Sequence, residues 1–134
     1  MSQGNIEIIR KIAAAVGRRD TAVFLELSDP AVEWHAALSV VSKGGAYHGH
    51  DGVRQYVKDL AEAFQLFEIE LDELLGVGNM VLAVGRVHYR GATSGIEQHV
   101  PMGWVFKLRA GKVVALRAFP DPEQALEAFG GLEE

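Results

Sequence analysis

In the first half of the chain, apolar residues recur every three or four positions, which predicts amphipathic helices. The first helix covers residues 4–17. A second, short helix follows with Asp20 as its N-cap, and it ends at the Asp29-Pro30 pair. A third begins after the glycine-rich segment 42–52. The apolar positions are Ile6, Ile9, Ile12, Ala13 and Val16 in the first helix, Val23, Phe24 and Leu27 in the second, and Val53, Tyr56, Val57, Leu60 and Phe64 in the third.

From about residue 66 onward, apolar and polar residues alternate, which is the pattern of β-strands. Short turns rich in glycine and asparagine connect these segments, as in β-hairpins. The predicted strands are residues 67–77, 80–90, 95–109 and 112–119, with an earlier strand at 31–41. Helices followed by an antiparallel meander predict an α+β fold in which the helices cover one face of a bent sheet.

The composition is that of an ordinary globular protein, with 134 residues, 49% hydrophobic and 23% charged, so one domain spanning residues 1–134 is expected. The net charge of −5 gives no electrostatic reason to expect nucleic acid or an anionic membrane as a partner. The absence of cysteine excludes disulfide and thiolate chemistry. Neither a secretion signal nor an apolar stretch of about 20 residues is present, so a cytoplasmic protein is expected.

Three phrases of the sequence, RRDTAVFLELSDPAVEW, YHGHDGVRQYV and WVFKLRAGKVVALRAFPD, resemble the SnoaL-like family of the nuclear transport factor 2-like (NTF2-like) superfamily. The order of the predicted elements resembles it too, over nearly the whole chain. The resemblance implies a cone-shaped fold, with a curved antiparallel sheet wrapped on N-terminal helices, an internal pocket and usually a dimer. The superfamily includes polyketide cyclases, ketosteroid isomerase, dehydratases, epoxide hydrolases and proteins that only bind. The hydrolases use an Asp–Arg–Asp group, and no second aspartate is evident here.

The lengths of the hairpin turns predict which strand residues share a face, and they place Leu82 and Arg117 beside Trp104. The bulky, aromatic face is predicted to line the pocket: Met80, Leu82, Val84, Arg86, His88, Gln98, Met102, Trp104, Phe106, Val113, Ala115, Arg117 and Phe119. The opposite face is small and apolar: Val81, Ala83, Gly85, Val87, Pro101, Gly103, Val105, Val114, Leu116 and Ala118. Such a patch predicts a homodimer through the outer sheet face, unless the stems of Lys107 and Arg109 screen it. The same register sets His88 opposite Gln98 and places His99 on the opposite face, beside Val87, at the expected dimer surface.

Asp121 lies between two prolines, where the last strand meets a helix, and two roles compete for it. As an N-cap, with Pro122 at the first helical position and Gln124 closing a capping box, it stays ionised and is a weak base. The resemblance implies the other role, because cyclases of this group use an aspartate at the end of this strand as general base. A base for carbon acids needs a pKa raised by an apolar pocket, so both roles are not strong at once.

Several other side chains are candidates for the pocket. His88 is predicted as a second proton carrier, with a solvent-exposed rim position as the alternative. Tyr56 offers a hydroxyl to a developing oxyanion, or its ring simply packs on Trp34. Glu73 faces the concave side unless a bulge returns it to solvent, and Arg86 then pairs with it. The predicted substrate-binding set is Trp34, Tyr56, Arg86, Met102, Trp104, Arg117 and Phe119, with Arg117 paired to Asp121.

The function that these observations favour is the binding of a small, largely apolar or polyketide-like molecule in the cone. Acid–base chemistry of the cyclase, isomerase or dehydratase kind would use Asp121 and His88 as catalytic residues and needs no cofactor. The alternative is a non-catalytic ligand-binding or dimerisation module. The run His48-Gly49-His50-Asp51 has no second cluster of ligands, so no metal site is expected.

Overall fold

The long strands form close to their predicted positions. The computed structural model describes residues 2–36 and 46–133. Its elements are α1 (Ser2–Arg18), α2 (Thr21–Glu26), β1 (Ser28–His35), β2 (Tyr47–His48), α3 (Gly49–Ala63), β3 (Phe64–Val77), β4 (Met80–Gly91), β5 (Glu97–Arg109), β6 (Lys112–Phe119) and α4 (Pro122–Glu133). Within the described residues, none of the helices has the length and apolar character that a membrane span requires.

The predicted boundary between the first two helices is confirmed. Arg19 follows α1 in the left-handed region, at φ +56°, and Asp20 then caps α2 by accepting the Val23 N–H at 3.3 Å. Strand β1 begins earlier than predicted and includes Pro30, and the predicted continuation over residues 37–41 lies outside the described residues. Strand β2 occupies part of the segment that was predicted to be a loop.

All six strands form one sheet in the order β2-β1-β6-β5-β4-β3. Neighbours are antiparallel except β1 and β6, which are parallel and set Trp34 beside Leu116. Helices α1 and α3 bury Ile9, Val53 and Leu60 in a core on one face, which we call the interior face. Helix α4 packs on the opposite, outer face. The predicted α+β fold, with N-terminal helices on a mostly antiparallel sheet, is therefore confirmed.

The predicted register between β4 and β5 is wrong by one residue. Leu82 pairs with Val105 instead of Trp104. The reason lies in the connecting turn, where the Gly91 N–H donates to the Ile96 carbonyl at 2.9 Å and fixes a different closure of the loop. Because side chains alternate along a strand, this slip moves every β4 side chain to the face opposite to the predicted one.

A second irregularity changes the faces of β6. A register shift beside Lys107 and Leu108 places Arg117 opposite Val105, not Trp104. Arg86, His88, Arg117 and Phe119, which were predicted to face the pocket, therefore share the outer face with Leu82 and Val105. Met102, Trp104 and Phe106 face the interior as predicted, together with Val81, Ala83, Val87, Leu116 and Ala118, which were predicted to lie outside.

The outer face carries a small core of its own. Ala125 and Phe129 of α4 are buried against Leu82, Val105 and Phe119. The small apolar patch that predicted a dimer is thus divided: its β4 and β6 members Val81, Ala83, Val87, Leu116 and Ala118 are in the interior, whereas Gly103 and Val105 of β5 lie on the outer face under α4. Ala125 and Phe129 are four residues apart, so they lie on the same side of α4. This spacing is the signal in the sequence that indicates the packing of α4 on the sheet.

Candidate functional site

A cavity of about 20 Å³ lies between the interior face and the helices. Its wall is made by Trp34, Ala36, Tyr56, Phe67, Ile69, Val87, Met102, Trp104, Leu116 and Ala118. Four members of the predicted substrate-binding set meet here, namely Trp34, Tyr56, Met102 and Trp104. Each is buried, and the volume corresponds to about one water molecule.

Aromatic contacts hold the wall of this cavity in place. The Trp34 ring lies 4.7 Å from Phe24 and 5.4 Å from Tyr56, measured between ring centroids. Both separations are in the range where tilted aromatic pairs attract each other. Neighbouring residues of a strand point to opposite faces of the sheet. Trp34 therefore enters the interior, and the side chain of His35 is exposed on the other face.

The hydroxyl of Tyr56 is a polar group in the wall of the cavity, and its pKa is shifted. Burial raises its pKa to about 12, and a hydrogen bond with the Trp34 side chain opposes part of that rise. Tyr56 is therefore neutral at physiological pH. It offers a ligand a hydrogen-bond donor and acceptor, and it is not a base.

This raised pKa predicts how stability falls in alkaline solution. The unfolded chain ionises Tyr56 near pH 10, whereas the folded chain keeps it neutral up to about pH 12. The stabilisation that this difference in pKa gives is fully present below pH 10. As the pH rises from 10 toward 12, the free energy of unfolding falls by about 3 kcal/mol. Urea denaturation at pH 8, 10 and 11 should show a steeper decline for the wild type than for Tyr56→Phe. Parallel declines of the two proteins would contradict the assignment.

Charged groups are missing from the described wall of the cavity. Among the residues that the structure describes, Ser28 is the only buried polar or charged one, and its hydroxyl donates to the Phe24 carbonyl at 2.9 Å. No described carboxylate or imidazole lines the cavity. The chemistry that the described wall residues offer is apolar contact and hydrogen bonding, and none of them is a general base.

Asp121 is exposed and caps α4. Its carboxylate accepts the Glu123 N–H at 2.9 Å, and its carbonyl accepts the Ala125 N–H at 3.3 Å. This is the geometry of the helix-capping alternative. No ion pair joins Asp121 to Arg117 in the described structure, so that predicted pair is wrong. Arg117 instead lies over the Phe119 ring, 5.2 Å from its centroid.

His88 lies in a charged cluster on the outer face, away from the cavity. Its ring stacks on His99, with centroids 4.0 Å apart and the planes inclined by 7°. Glu97 pairs with Nε2 and Glu68 approaches Nδ1 at 3.5 Å. The hydrogen bond to Glu97 is the main cause that raises the pKa of His88 above its usual value. The prediction that His99 occupies the face opposite to His88 is wrong, because of the one-residue slip.

Arg86 belongs to the same cluster. Its Nε lies 2.9 Å from Glu70 and one terminal nitrogen lies 3.0 Å from Asp72. The predicted partner, Glu73, is exposed next to a bulge between Leu71 and Glu73, which is the alternative that returns it to solvent. Arg86 therefore neutralises surface carboxylates and does not reach the cavity.

A larger void, about 690 Å³, opens on the outer face beside α4. We call it the outer groove, and its lining is His35, Asn79, Met80, Val105, Lys107, Ala115, Leu116, Arg117, Phe119, Ala128 and Gly131. Most of its described wall is apolar, and none of the described residues that line it is acidic. Phe119 and Arg117 were predicted to lie inside the cone, so this groove could not be predicted from the sequence.

An α+β fold with N-terminal helices on one face of a six-stranded, mostly antiparallel sheet is the fold of NTF2-like proteins, and solved structures of that class match most of this chain. An NTF2-like protein of unknown function from Burkholderia pseudomallei is 21% identical, with a TM-score of 0.79 over 92% of this chain and 95% of that chain. TerC, co-crystallised with polyporic acid, is 22% identical, with a TM-score of 0.77 over 92% and 96%. A putative SnoaL-like polyketide cyclase from a Jannaschia species is 21% identical, with a TM-score of 0.73 over 88% and 85%.

The sequence itself gives the family. Residues 9–116 match the family described as SnoaL-like domain, and the chain belongs to that family. A comparison with curated proteins found no match.

Proposed function

We propose that the protein binds a small, largely apolar molecule in the interior of the cone, with Trp34, Tyr56 and Trp104 as its main contacts. The observation that carries this proposal is the convergence of these side chains, from β1, α3 and β5, on one cavity. The described wall is apolar apart from hydroxyl and indole groups. Such a wall favours neutral molecules, because an ion would lose its hydration without gaining a partner.

The ligand needs more room than the cavity of about 20 Å³ now offers. Met102 is the wall residue that we expect to move, because its unbranched side chain has several accessible conformations. The Tyr56 hydroxyl then selects ligands with an oxygen atom next to an apolar body. The TerC structure holds polyporic acid, which supports the idea that this fold accommodates an organic ligand.

Acid–base catalysis of the cyclase, isomerase or dehydratase kind receives less support than binding alone. It needs a proton carrier beside the ligand. The two predicted carriers are elsewhere, since Asp121 caps α4 and His88 lies among the charges of the outer face. Binding without catalysis is therefore the function that we propose.

Intrinsic fluorescence tests this proposal, because both tryptophans of the chain, Trp34 and Trp104, line the cavity. We expect 2-naphthol to quench their emission in a saturable way and to bind about 2–10-fold more tightly than naphthalene, which lacks the hydroxyl. Tyr56→Phe should remove this preference and leave the affinity for naphthalene unchanged. Leu126→Ala, at an exposed position of α4, is the matched control and should behave as the wild type.

Two results would overturn the proposal. Quenching that rises linearly with 2-naphthol and never saturates would show collision without binding. The second result concerns the Trp34→Phe and Trp104→Phe variants. If 2-naphthol quenches them as strongly as the wild type and binds them with the same affinity, the ligand binds away from the cavity.

We also propose a homodimer through the outer face, at the outer groove. Its wall, which is mostly apolar and includes parts of Val105 and Phe119, forms an opening on the outer face that a second copy of the chain would fill. Light scattering after gel filtration should give twice the chain mass of 14.6 kDa. Ala128→Glu at the groove should give a monomer, and Ile96→Glu at the far end of the sheet should leave the dimer intact. A monomeric wild type at high micromolar concentration would contradict this proposal.

A further inference from the structure

Three adjacent strands bring metal-ligating side chains together on the outer face. Glu70 comes from β3, His88 from β4 and His99 from β5, and one donor atom from each lies within 4.8 Å of the others. His88 and His99 face each other directly across the β4–β5 ladder. We propose that these three residues bind a divalent transition-metal ion, with Zn²⁺ as the best fit.

The donor set fits that class of ion. Two imidazoles and one carboxylate are ligands that Zn²⁺, Co²⁺ and Ni²⁺ accept, and they leave a coordination position for water or another molecule. Donor atoms on a tetrahedral zinc ion lie about 3.4 Å apart. His99 Nδ1 is already 3.6 Å from Glu70 Oε1, and the widest separation, within 4.8 Å, must shorten by up to about 1.4 Å. The two rings lie in nearly parallel planes, so one ring must turn for both to bind the same ion. His99 can do so, because its side chain is 54% exposed.

One oxygen of Glu70 lacks the partner that its burial demands. The Oε1 atom is buried and accepts no hydrogen bond from the described residues, although Arg86 Nε lies 2.9 Å away in an unfavourable direction. The guanidinium of Arg86 supplies charge to this oxygen but no hydrogen bond, and a metal ion would supply a directed bond in its place. Arg86 would keep its second partner, Asp72, at 3.0 Å.

The surroundings of His88 also suit a metal ligand. Glu97 holds Nε2 and fixes the ring, and a carboxylate on that nitrogen is the usual support of a metal-bound histidine. Nδ1 is then the nitrogen for the ion, which would take the place of the long contact of Nδ1 with Glu68 at 3.5 Å. The charged groups that face the site are Glu68, Glu70, Asp72, Arg86, Arg90 and Glu97. Carboxylates outnumber guanidinium groups among them, so the local charge favours a dication.

Calorimetry on protein without an affinity tag, freed of metal with EDTA, tests the site with Zn²⁺ alone. We expect one ion per chain with a dissociation constant in the micromolar range. His99→Asn and Glu70→Gln should each weaken binding at least 10-fold, and Glu97→Gln should weaken it less, through the orientation of His88. His35→Asn, which changes an exposed histidine on β1, is the matched control and should bind as the wild type.

Co²⁺ gives a second readout that does not depend on heat. Its visible absorption should appear with the wild type, disappear with His99→Asn, and be abolished by an excess of EDTA. Unchanged thermal unfolding in EDTA shows that the variants are folded. Binding that His35→Asn weakens as much as His99→Asn, or a wild type that binds no Zn²⁺ at 1 mM, would overturn the proposal.

Discussion

Gly85→Ala is expected to lower the free energy of unfolding by about 3 kcal/mol or more, which is a large part of the stability of a domain of this size. A Cβ atom on Gly85 would collide with the backbone carbonyl of Glu70, at the point where β3 bends beside its bulge. Both partners are main chain, so no side-chain rotation relieves the contact. Urea denaturation followed by circular dichroism gives the difference directly.

Gly17→Ala is the matched control for that experiment. A Cβ on Gly17 meets its nearest neighbour, the Cγ of Glu68, at 3.8 Å, which is an ordinary contact. Alanine is also a better helix former than glycine, so this variant should be as stable as the wild type or up to about 1 kcal/mol more stable. A Gly85→Ala protein with the same denaturation midpoint as Gly17→Ala would contradict the bent-sheet explanation.

Phe24→Ala is the second large effect that we expect, with a loss of about 4 kcal/mol. Phe24 of α2 is fully buried, and its ring packs 4.7 Å from Trp34 and 6.1 Å from Tyr56. Its removal leaves a hole beside the wall of the interior cavity. Chemical denaturation measures the loss, and a shift of the Trp34 emission to longer wavelength should accompany it.

Leu126→Ala is the control for Phe24→Ala, because it also removes an apolar side chain but one that is not buried. Leu126 is 55% exposed on α4, and its truncation should change stability by less than about 0.5 kcal/mol. If Phe24→Ala costs no more than Leu126→Ala, the interior core is not packed as described.

The elements of the fold were predictable because they follow from local signals. The helical spacing of Ile9 and Ile12, the cap at Asp20 and the alternation along β4 to β6 each depend on a few neighbouring residues. Trp34 could be assigned to the interior for the same reason, since its neighbour His35 must point the other way. These predictions needed no knowledge of distant contacts.

The faces of the strands were less predictable, because each depends on a single hydrogen-bonded turn. The Gly91–Ile96 closure shifts the register by one residue and moves His88 and Arg86 to the outer face. The bulge beside Leu108 does the same to Arg117 and Phe119. Nothing in the local sequence fixes such a turn or bulge, so these four residues lie on the outer face and not in the cavity.

The cluster of Glu70, His88 and His99 was hidden for the same reason. The predicted register sets His88 opposite Gln98 and places His99 on the other face, so the two imidazoles do not meet. In the structure His88 pairs with His99, and β3 adds Glu70 from the other side. A site assembled from three strands requires the correct register of both ladders.

The parallel pairing of β1 with β6 has a consequence for how the chain folds. Trp34 of β1 pairs with Leu116 of β6, which lies near the other end of the sequence. Strand β1 can therefore join the rest of the sheet only after β6 has been synthesised. Pairings between residues so far apart in sequence are slow to form. During synthesis the N-terminal helices therefore emerge from the ribosome well before the surface that will cover them, and a chain stopped before residue 112 should be a target for chaperones and proteases.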